Sequence, residues 1–439
     1  MKEKFNLNRR SFVKGSAVMV GGILVNPLSV QSSAYVAAKD EIKVAVVGCG
    51  GRGTGAAVQA LSVKENTKLV AMCDAFADRL ENSYNNIIKQ ITNSEKIDVP
   101  DDHKFIGFDG YKKAIDLADV VILTTPPGFR PVHFEYAINN NKHVFMEKPV
   151  ATDAPGVRKV LEMAKVAKQK KLNVVVGLQR HYQTKYHELM KRIHGGEIGE
   201  ITSGQVYWNS GGVWVKEREP HMNEMEYQMR NWYYFNWLCG DHIVEQHIHN
   251  IDVFNWAKKA LPVKAQGMGG REVRTGREHG EIFDHHFVEF TYEDGTIANS
   301  QCRHIKGCWN KVGEHIVGTK GKADDSGTIY DLKGNIVWKH RDRNDPNPYQ
   351  QEHDELFAAV DKGDYKYDDT EMGAYATMSA ILGRMATYSG QVVTWDEALN
   401  SDQILVPNES EWSWEAAPPV LPLPDGSYPI PVPGETKPF

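Results

Sequence analysis

A glycine-rich turn follows an apolar run, residues 42–47, in this chain of 439 residues. Gly48, Gly50 and Gly53 occupy the glycine positions of the pattern G-x-G-x-x-G. In such a turn the first glycine permits a tight reversal, the second lets the backbone approach a pyrophosphate, and the third allows close packing of helix on strand. The helix that starts here offers free backbone N–H groups to phosphate oxygens. The turn therefore predicts a dinucleotide-binding site.

An acidic residue, Asp74, ends the next apolar run, about 20 residues beyond the turn. A carboxylate at this place accepts a hydrogen bond from a ribose 2′-hydroxyl and repels a 2′-phosphate, which favours NAD over NADP. Gly51 and Arg52 lie within the turn and are also assigned to the cofactor site. Arg52 and Arg79 are basic and keep NADP open as the alternative cofactor.

A lysine, Lys148, stands at the end of another apolar run, between Glu147 and Pro149. Ligands in this architecture bind at the carboxyl ends of the strands. We expect Lys148 to stabilise negative charge on a substrate oxygen and Glu147 to hold the lysine by ion pairing. A neighbouring run ends in a Thr-Pro-Pro turn and leads into a helix. The cofactor residues predicted from these two strand ends are Thr125, Pro126, His133, Glu147 and Lys148.

A histidine-rich segment lies farther along the chain, where a helix is predicted from about residue 241 to 260. Glu245 and His249 are four residues apart, a spacing that places them on one helical face. His249 is a candidate general base because its ordinary pKa is near neutrality. Asp252 could orient the helix or a substrate. No metal site is expected, because the histidines of this segment do not share one face.

These residues need a scaffold that brings strand ends together. Between residues 40 and 182, apolar runs alternate with helical periodicity, which predicts a doubly wound parallel sheet. Alternating strands from residue 201 onward predict a second, mostly antiparallel sheet with one open face. The fold class is therefore α/β, with a Rossmann dinucleotide-binding domain followed by an α/β domain that carries a large open sheet. The expected divisions are 1–38, a signal peptide; 39–182 and 183–390, the two domains; and 391–439, an extension with a proline-rich arm.

The composition and the N-terminus narrow the class of protein. Hydrophobic residues make up 41% of the chain and charged residues 25%, which is ordinary for a soluble protein. The net charge of −6 does not favour a nucleic-acid partner. Residues 8–14 carry an Arg-Arg pair and resemble a twin-arginine export motif, followed by an apolar stretch too short to anchor the chain. We therefore expect a periplasmic protein without a membrane anchor after cleavage.

The glycine turn, Thr-Pro-Pro with His133, and Glu-Lys-Pro occur in an order and spacing that resemble the Gfo/Idh/MocA family of sugar and inositol oxidoreductases. The resemblance implies that Lys148 lies beside the nicotinamide, with a cis peptide before Pro149, and that His249 is the general acid/base. Glu245 stands where many relatives have Asp, and we count it with the catalytic residues. The substrate residues expected from the resemblance and from an aromatic insertion, 209–234, are Arg180, Tyr182, Asp252 and Trp232; core packing is the alternative for Trp232.

The expected activity is hydride transfer between nicotinamide and a carbinol of a sugar, an inositol or a glycan-derived sugar. Because twin-arginine export carries folded proteins, the cofactor is expected to be tightly bound. The open sheet and the proline-rich arm predict a homodimer or homotetramer. Two alternatives remain: an NAD-dependent glycosidase that works by transient C3 oxidation and elimination, and a non-catalytic sugar-binding protein.

Overall fold

A computed structural model describes residues 41–341 and 344–439. The predicted export signal, 1–38, lies outside the described residues. Within the described ranges, no helix combines the length and the apolar character needed to cross a membrane.

The first sheet has six parallel strands in the order β3-β2-β1-β4-β5-β6, which confirms the Rossmann-type prediction. The strands are β1 Ile42–Val47, β2 Thr67–Asp74, β3 Lys104–Ile106, β4 Val120–Leu123, β5 His143–Met146 and β6 Val174–Val176. The helices between and around them are α1 Gly51–Leu61, α2 Ala77–Gln90, α3 Gly110–Asp116, α4 Arg130–Asn139 and α5 Ala154–Lys170. Alternate residues of β1 enter different apolar cores, Ala45 on one face and Val44 on the other. Helices therefore cover both faces, as a parallel sheet of continuous apolar runs requires.

The second sheet has nine strands in the order β14-β13-β12-β11-β7-β10-β9-β8-β15. Every neighbouring pair is antiparallel except β7 and β10, which run parallel. The strands are β7 Ile201–Ser210, β8 Lys264–Gly270, β9 His285–Thr291, β10 Ile297–His304, β11 Lys311–Gly318, β12 Gly321–Asp324, β13 Thr328–Asp331, β14 Ile336–Lys339 and β15 Val393–Thr394. The mostly antiparallel sheet is thus confirmed.

The helices of the second half pack on one face of this sheet and against the first domain. They are α6 Thr184–His194, α7 Glu224–Arg230, α8 Asn236–Cys239, α9 His242–Glu245, α10 Ile248–Lys258, α11 Pro348–Asp361, α12 Thr370–Ser389 and α13 Trp395–Leu399. Helix α12 is buried almost all round because it contacts α5 of the first domain and β8 of the second. Burial alternates along β9 and β10, which leaves the other face of the sheet more open.

The C-terminal extension lies on the surface of its own chain. We call residues 403–434 the C-terminal strap. Trp412 is buried with its ring 4.8 Å from that of Phe129 in the first domain. Tyr428 is also buried, and its hydroxyl donates to Glu224 in the aromatic insertion. The C-terminal strap therefore joins the aromatic insertion to the first domain of the same chain.

Candidate active site

The glycine turn between β1 and α1 has the geometry that close approach of a phosphate requires. Gly48 has φ +99°, and a Cβ there would lie 2.5 Å from the backbone nitrogen of Thr125. A Cβ on Gly53 would lie 1.9 Å from the carbonyl oxygen of Gly48, so helix and strand touch at this point. Gly50, in contrast, faces open space, and α1 begins at Gly51 without a side-chain cap. The free N–H groups thus face a region that a pyrophosphate could enter.

A cleft of 610 Å³ lies over this turn. Predicted cofactor residues line it: Gly48, Gly50, Gly51, Arg52, Asp74, Thr125, Pro126 and His133. The aromatic insertion supplies another wall, which consists of Trp214, Val215, Lys216, Met229, Arg230 and Trp232. Trp232, predicted to contact substrate, is therefore part of the dinucleotide cleft. Gly53, Glu147 and Lys148 do not line it.

Asp74 is held at the cleft wall by two backbone donors. Its Oδ2 accepts from the N–H of Cys49 at 2.6 Å, and its Oδ1 accepts from the N–H of Phe76 at 2.9 Å. Burial raises the pKa of Asp74, whereas these two hydrogen bonds oppose the rise. Arg79 lines the same cleft. The carboxylate is therefore fixed where the residues could hold a ribose, which fits the bound NAD that the turn predicts.

Glu147 pairs with Arg52 of the glycine turn and not with Lys148. Arg52 also donates to Gln59 at 3.2 Å and lies 5.1 Å above the ring of Tyr349. Its buried Nη2 has no hydrogen-bond partner among the described residues. The expectation that Glu147 holds the lysine is corrected: Glu147 instead anchors the arginine that lines the cleft, because the two side chains of consecutive residues leave the strand end in different directions.

Lys148 reaches across to the second domain. Its Nζ lies 3.0 Å from Oε1 of Glu245 and 2.5 Å from the backbone oxygen of the same residue. Both side chains are largely buried, with 12% and 13% exposure. The Lys148–Pro149 peptide bond is cis, as the resemblance implies. Two of the three predicted catalytic residues are thus in direct contact.

His249 lies near this pair at the start of α10. It is 7% exposed, and its buried Nδ1 has no partner among the described residues. Burial, with the positive charges of Lys148 and Arg180, holds the pKa of His249 well below its ordinary value. The ring stacks at 6.0 Å from that of Trp208. A neutral imidazole beside a cationic lysine can accept a proton from a hydroxyl group that the lysine polarises.

The helix predicted over 241–260 is interrupted. Helix α9 ends at Glu245 and α10 begins at Ile248, so Glu245 and His249 do not share one continuous helical face. His247 occupies the break, is fully buried, and bonds through Nε2 to Ser300 at 2.7 Å. The sheet therefore holds Nε2 of this ring, whereas the buried Nδ1 has no hydrogen-bond partner among the described residues.

Arg180 acts on His249 through the backbone. One guanidinium nitrogen donates to the carbonyl oxygen of His249 at 3.0 Å and forms an ion pair with Glu314. Glu314 is buried and accepts in addition from Tyr186 at 2.8 Å and from Asn250 at 2.6 Å. Sequence reasoning missed Glu314. The signal was present, because the period of two in β11 places this carboxylate on the same inward face as Ile316.

Two more predicted substrate residues have protein partners. Asp252 accepts from Nε2 of His181 at 2.7 Å, which fits the expected role in orienting α10. Tyr182 is buried, and its hydroxyl donates to Asp369 at 2.6 Å. The assignment of Tyr182 to substrate is corrected, because its side chain packs in the core that α11 covers.

Residues 42–178 match the model of the Gfo/Idh/MocA oxidoreductase family, described as having an NAD-binding Rossmann fold. An inositol 2-dehydrogenase of Rubrobacter xylanophilus is 25% identical over 300 residues, which cover 68% of this chain and 74% of that protein. A glycosyl hydrolase family 109 protein of Streptomyces coelicolor is 26% identical over 171 residues, 38% of this chain and 34% of that protein. Two other curated relatives are matched over 52% and 43% of their own length.

Among solved structures, scyllo-inositol dehydrogenase of Lactobacillus casei with NAD(H) and scyllo-inositol superposes with a TM-score of 0.60 at 20% identity. The superposition covers 81% of this chain and 99% of that one, and it supports the two-domain fold. The first domain is thus an NAD-binding Rossmann domain of this oxidoreductase family, and the chain is an NAD(P)-dependent oxidoreductase of the class that acts on CH–OH groups.

Proposed function

We propose that the protein oxidises a ring carbinol of an inositol or a sugar, with NAD as the bound cofactor. The observation that carries the proposal is the meeting of Lys148, Glu245 and His249 between the two domains. Inositol dehydrogenases among the relatives and structural neighbours support the substrate class. When bound, NAD supplies an acceptor for the hydride of the carbinol carbon.

Each side chain of this group has a defined task in the proposed reaction. His249 accepts the hydroxyl proton, since burial and nearby cations keep its imidazole neutral. Lys148 stabilises the negative charge that develops on the same oxygen. Glu245 keeps the lysine ammonium directed at the site by its carboxylate and its backbone oxygen. Arg180 fixes the backbone of His249, and Asp74 selects NAD over NADP.

We further propose that the cofactor is tightly held and that the mature protein is a periplasmic homodimer or homotetramer. The insertion forms one wall of the 610 Å³ cleft and so supports retention. The twin-arginine motif at residues 8–14 supports export in the folded state. Large apolar side chains near or on the second sheet, Met268, Trp309 and Val312, are 70%, 62% and 41% exposed and support association through that region.

A second candidate function is NAD-dependent glycoside cleavage by transient oxidation at C3. It is supported by the similarity to a glycosyl hydrolase family 109 protein. It is also supported by the wall that the aromatic insertion adds to the cleft, because a cofactor that is regenerated in every turnover can stay bound there. In that reaction His249 and Lys148 would handle the same carbinol oxygen and proton. The difference lies in the substrate and in the return of the hydride.

One experiment tests both candidates. The purified protein is mixed with myo-inositol, scyllo-inositol, glucose or aryl glycosides without added NAD, and absorbance at 340 nm is followed in a stopped-flow instrument. A dehydrogenase with retained cofactor gives one equivalent of NADH per site with a polyol or sugar, and His249→Ala removes the signal. Release of the aryl group over many turnovers supports the glycosidase. No reaction from protein shown by denaturation to hold NAD would overturn both.

A further inference from the structure

Asp241 has a backbone conformation that a residue with a side chain rarely adopts. It precedes α9 with φ 72° and ψ 160°, in a region that glycine reaches but other residues reach only with strain. Such a residue persists only where its surroundings compensate for the strain. The segment that it starts carries Glu245 and His249.

The compensation comes from the carboxylate, which is fully buried and bonded on both oxygens. Oδ1 accepts from the backbone N–H of His242 and lies 2.7 Å from Nδ1 of the His242 side chain. Oδ2 accepts from the N–H of Phe283 at 3.0 Å and from the hydroxyl of Tyr388, and Nε2 of His286 lies 3.3 Å away. Asp241 therefore ties the start of α9 to the loop before β9, to β9 itself and to α12.

A second set of contacts holds the other end of α9. Nε2 of His304 lies 2.9 Å from the side-chain oxygen of Gln246, and Nδ1 of His304 lies 2.6 Å from a guanidinium nitrogen of Arg274. At the start of α9, Arg384 donates to the carbonyl oxygen of Gly240 at 3.0 Å. The short helix is thus clamped on both sides of Glu245, the residue that binds Lys148.

The same groups could be considered as metal ligands, because donor atoms of Asp241, His242 and His286 all lie within 4.8 Å of one another. The carboxylate oxygens, however, already accept from backbone and hydroxyl donors. Burial lowers the pKa of His242 to about 4, and the positive charge of Arg274 adds to this lowering. Both features disfavour a further cation, so we treat the cluster as a hydrogen-bonded network.

We propose that Asp241 is a positioning residue: it fixes the turn before α9 so that Glu245 reaches Lys148 while His249 stays at the start of α10. The proposal rests on the proposed function for its kinetic consequence. Its structural consequence is separate, since loss of the carboxylate should release the Lys148–Glu245 contact whatever the substrate.

Three variants separate this role from general stability. Asp241→Gly removes the carboxylate but keeps a residue that adopts positive φ. Tyr388→Phe removes one donor to Asp241, and Tyr292→Phe is the matched control, because it removes a similar buried hydroxyl bond of 2.6 Å to Asn255 in α10. The stopped-flow rate with scyllo-inositol should fall about 10²-fold in Asp241→Gly, by less in Tyr388→Phe, and not in Tyr292→Phe. Bound NAD and substrate KM should stay near the wild-type values.

A readout without turnover is the reactivity of Lys148 toward acetic anhydride, measured by peptide mass spectrometry. We expect several-fold faster acetylation of Lys148 in Asp241→Gly and wild-type reactivity in Tyr292→Phe. If the wild type oxidises no substrate, the proposed function fails, but this labelling still decides the positioning role. If Asp241→Gly does not fold, Tyr388→Phe decides it. Unchanged labelling and rate in a folded variant, or a stoichiometric metal lost on substitution, would overturn the proposal.

Discussion

Lys148 and Glu245 lie 97 residues apart in the chain, yet the lysine ammonium contacts both the carboxylate and the backbone oxygen of the glutamate. The lysine comes from the end of β5 and the glutamate from α9, so the contact joins the two domains. A lysine placed by the first domain alone would be free to move. Its partner in the second domain fixes it beside His249.

His249→Ala should remove the proton acceptor and leave the cofactor cleft intact. We expect turnover to fall about 10²–10⁴-fold, with partial rescue at high pH where hydroxide can compete. Lys148→Ala should cost a similar factor because it removes charge stabilisation at the reacting oxygen. The double variant should lose less than the product of the two losses, since both groups act on one oxygen and its proton. A wild-type rate for His249→Ala would refute the assignment of His249 as the proton acceptor.

The pH profile of oxidation follows from the lowered pKa of His249. A base must be unprotonated, so kcat/KM should fall only as pH drops below 6.5, the ordinary value for histidine. Lys148→Ala removes a cation that disfavours the imidazolium, so the acid limb of its residual activity should move to higher pH. Stopped-flow rates of NADH formation between pH 4.5 and 9, measured at substrate concentrations well below saturation, give the acid limb of each protein. An identical acid limb in the two proteins would show that the lysine charge does not reach His249.

Asp74→Ala should weaken the preference for NAD. The substitution removes the acceptor for a ribose hydroxyl and the charge that repels a 2′-phosphate. Reconstitution of apoprotein with NAD or NADP, followed by fluorescence titration, measures the ratio of the two dissociation constants. Glu81→Ala is a suitable control, because this carboxylate on α2 is exposed and pairs with Lys104, which does not line the cleft. An unchanged ratio for Asp74→Ala would place ribose recognition elsewhere.

Trp414→Ala should speed the loss of bound cofactor. Its ring lies 5.0 Å from that of Phe76 and 4.7 Å from that of Phe108, and both phenylalanines line the cleft. Without this support the wall is expected to open more often, and NAD should leave several-fold faster during dialysis. Leu421→Ala, an exposed position on the same strap, should behave as wild type. Equal retention in the two variants would contradict a role for the strap.

The mature protein should form a dimer or a tetramer at micromolar concentration, because exposed apolar side chains remain on the second sheet. Light scattering coupled to gel filtration measures the mass directly. Substituting Met268 and Val312 by serine should lower the oligomer fraction, whereas Ile88→Ser on the first domain is the control. A monomeric wild type would exclude this arrangement.

The sequence was informative where chemistry depends on neighbouring residues. The roles of Gly48, Gly50 and Gly53 follow from a local pattern. In the structure a Cβ on Gly48 or Gly53 would clash with neighbouring backbone, whereas Gly50 faces open space. The position of Lys148 after a predicted strand likewise indicates where it lies in the fold, because the carboxyl ends of parallel strands all lie at one edge of the sheet.

The sequence was less informative where partners come from distant elements. The ion pair of Arg180 with Glu314 spans 134 residues, and no spacing rule connects them. The break between α9 and α10 also depends on tertiary contacts, since His247 bonds to Ser300 of β10 and Gln246 to His304 of the same strand. The prediction of one continuous helix over 241–260 does not take these tertiary hydrogen bonds into account. Tyr182 shows the same limit: its position after β6 is readable, but the direction of its side chain is not.

The C-terminal strap sets an order of events during biosynthesis. The chain is made from its N-terminus, so the glycine turn emerges early, whereas Trp412 and Trp414, which pack behind the cleft walls, are translated long after it. The nascent chain thus carries an incomplete pocket until the C-terminal strap has been translated. Stable binding of the nucleotide is therefore expected only after the strap has emerged from the ribosome, and chains stalled before residue 403 should carry little of it.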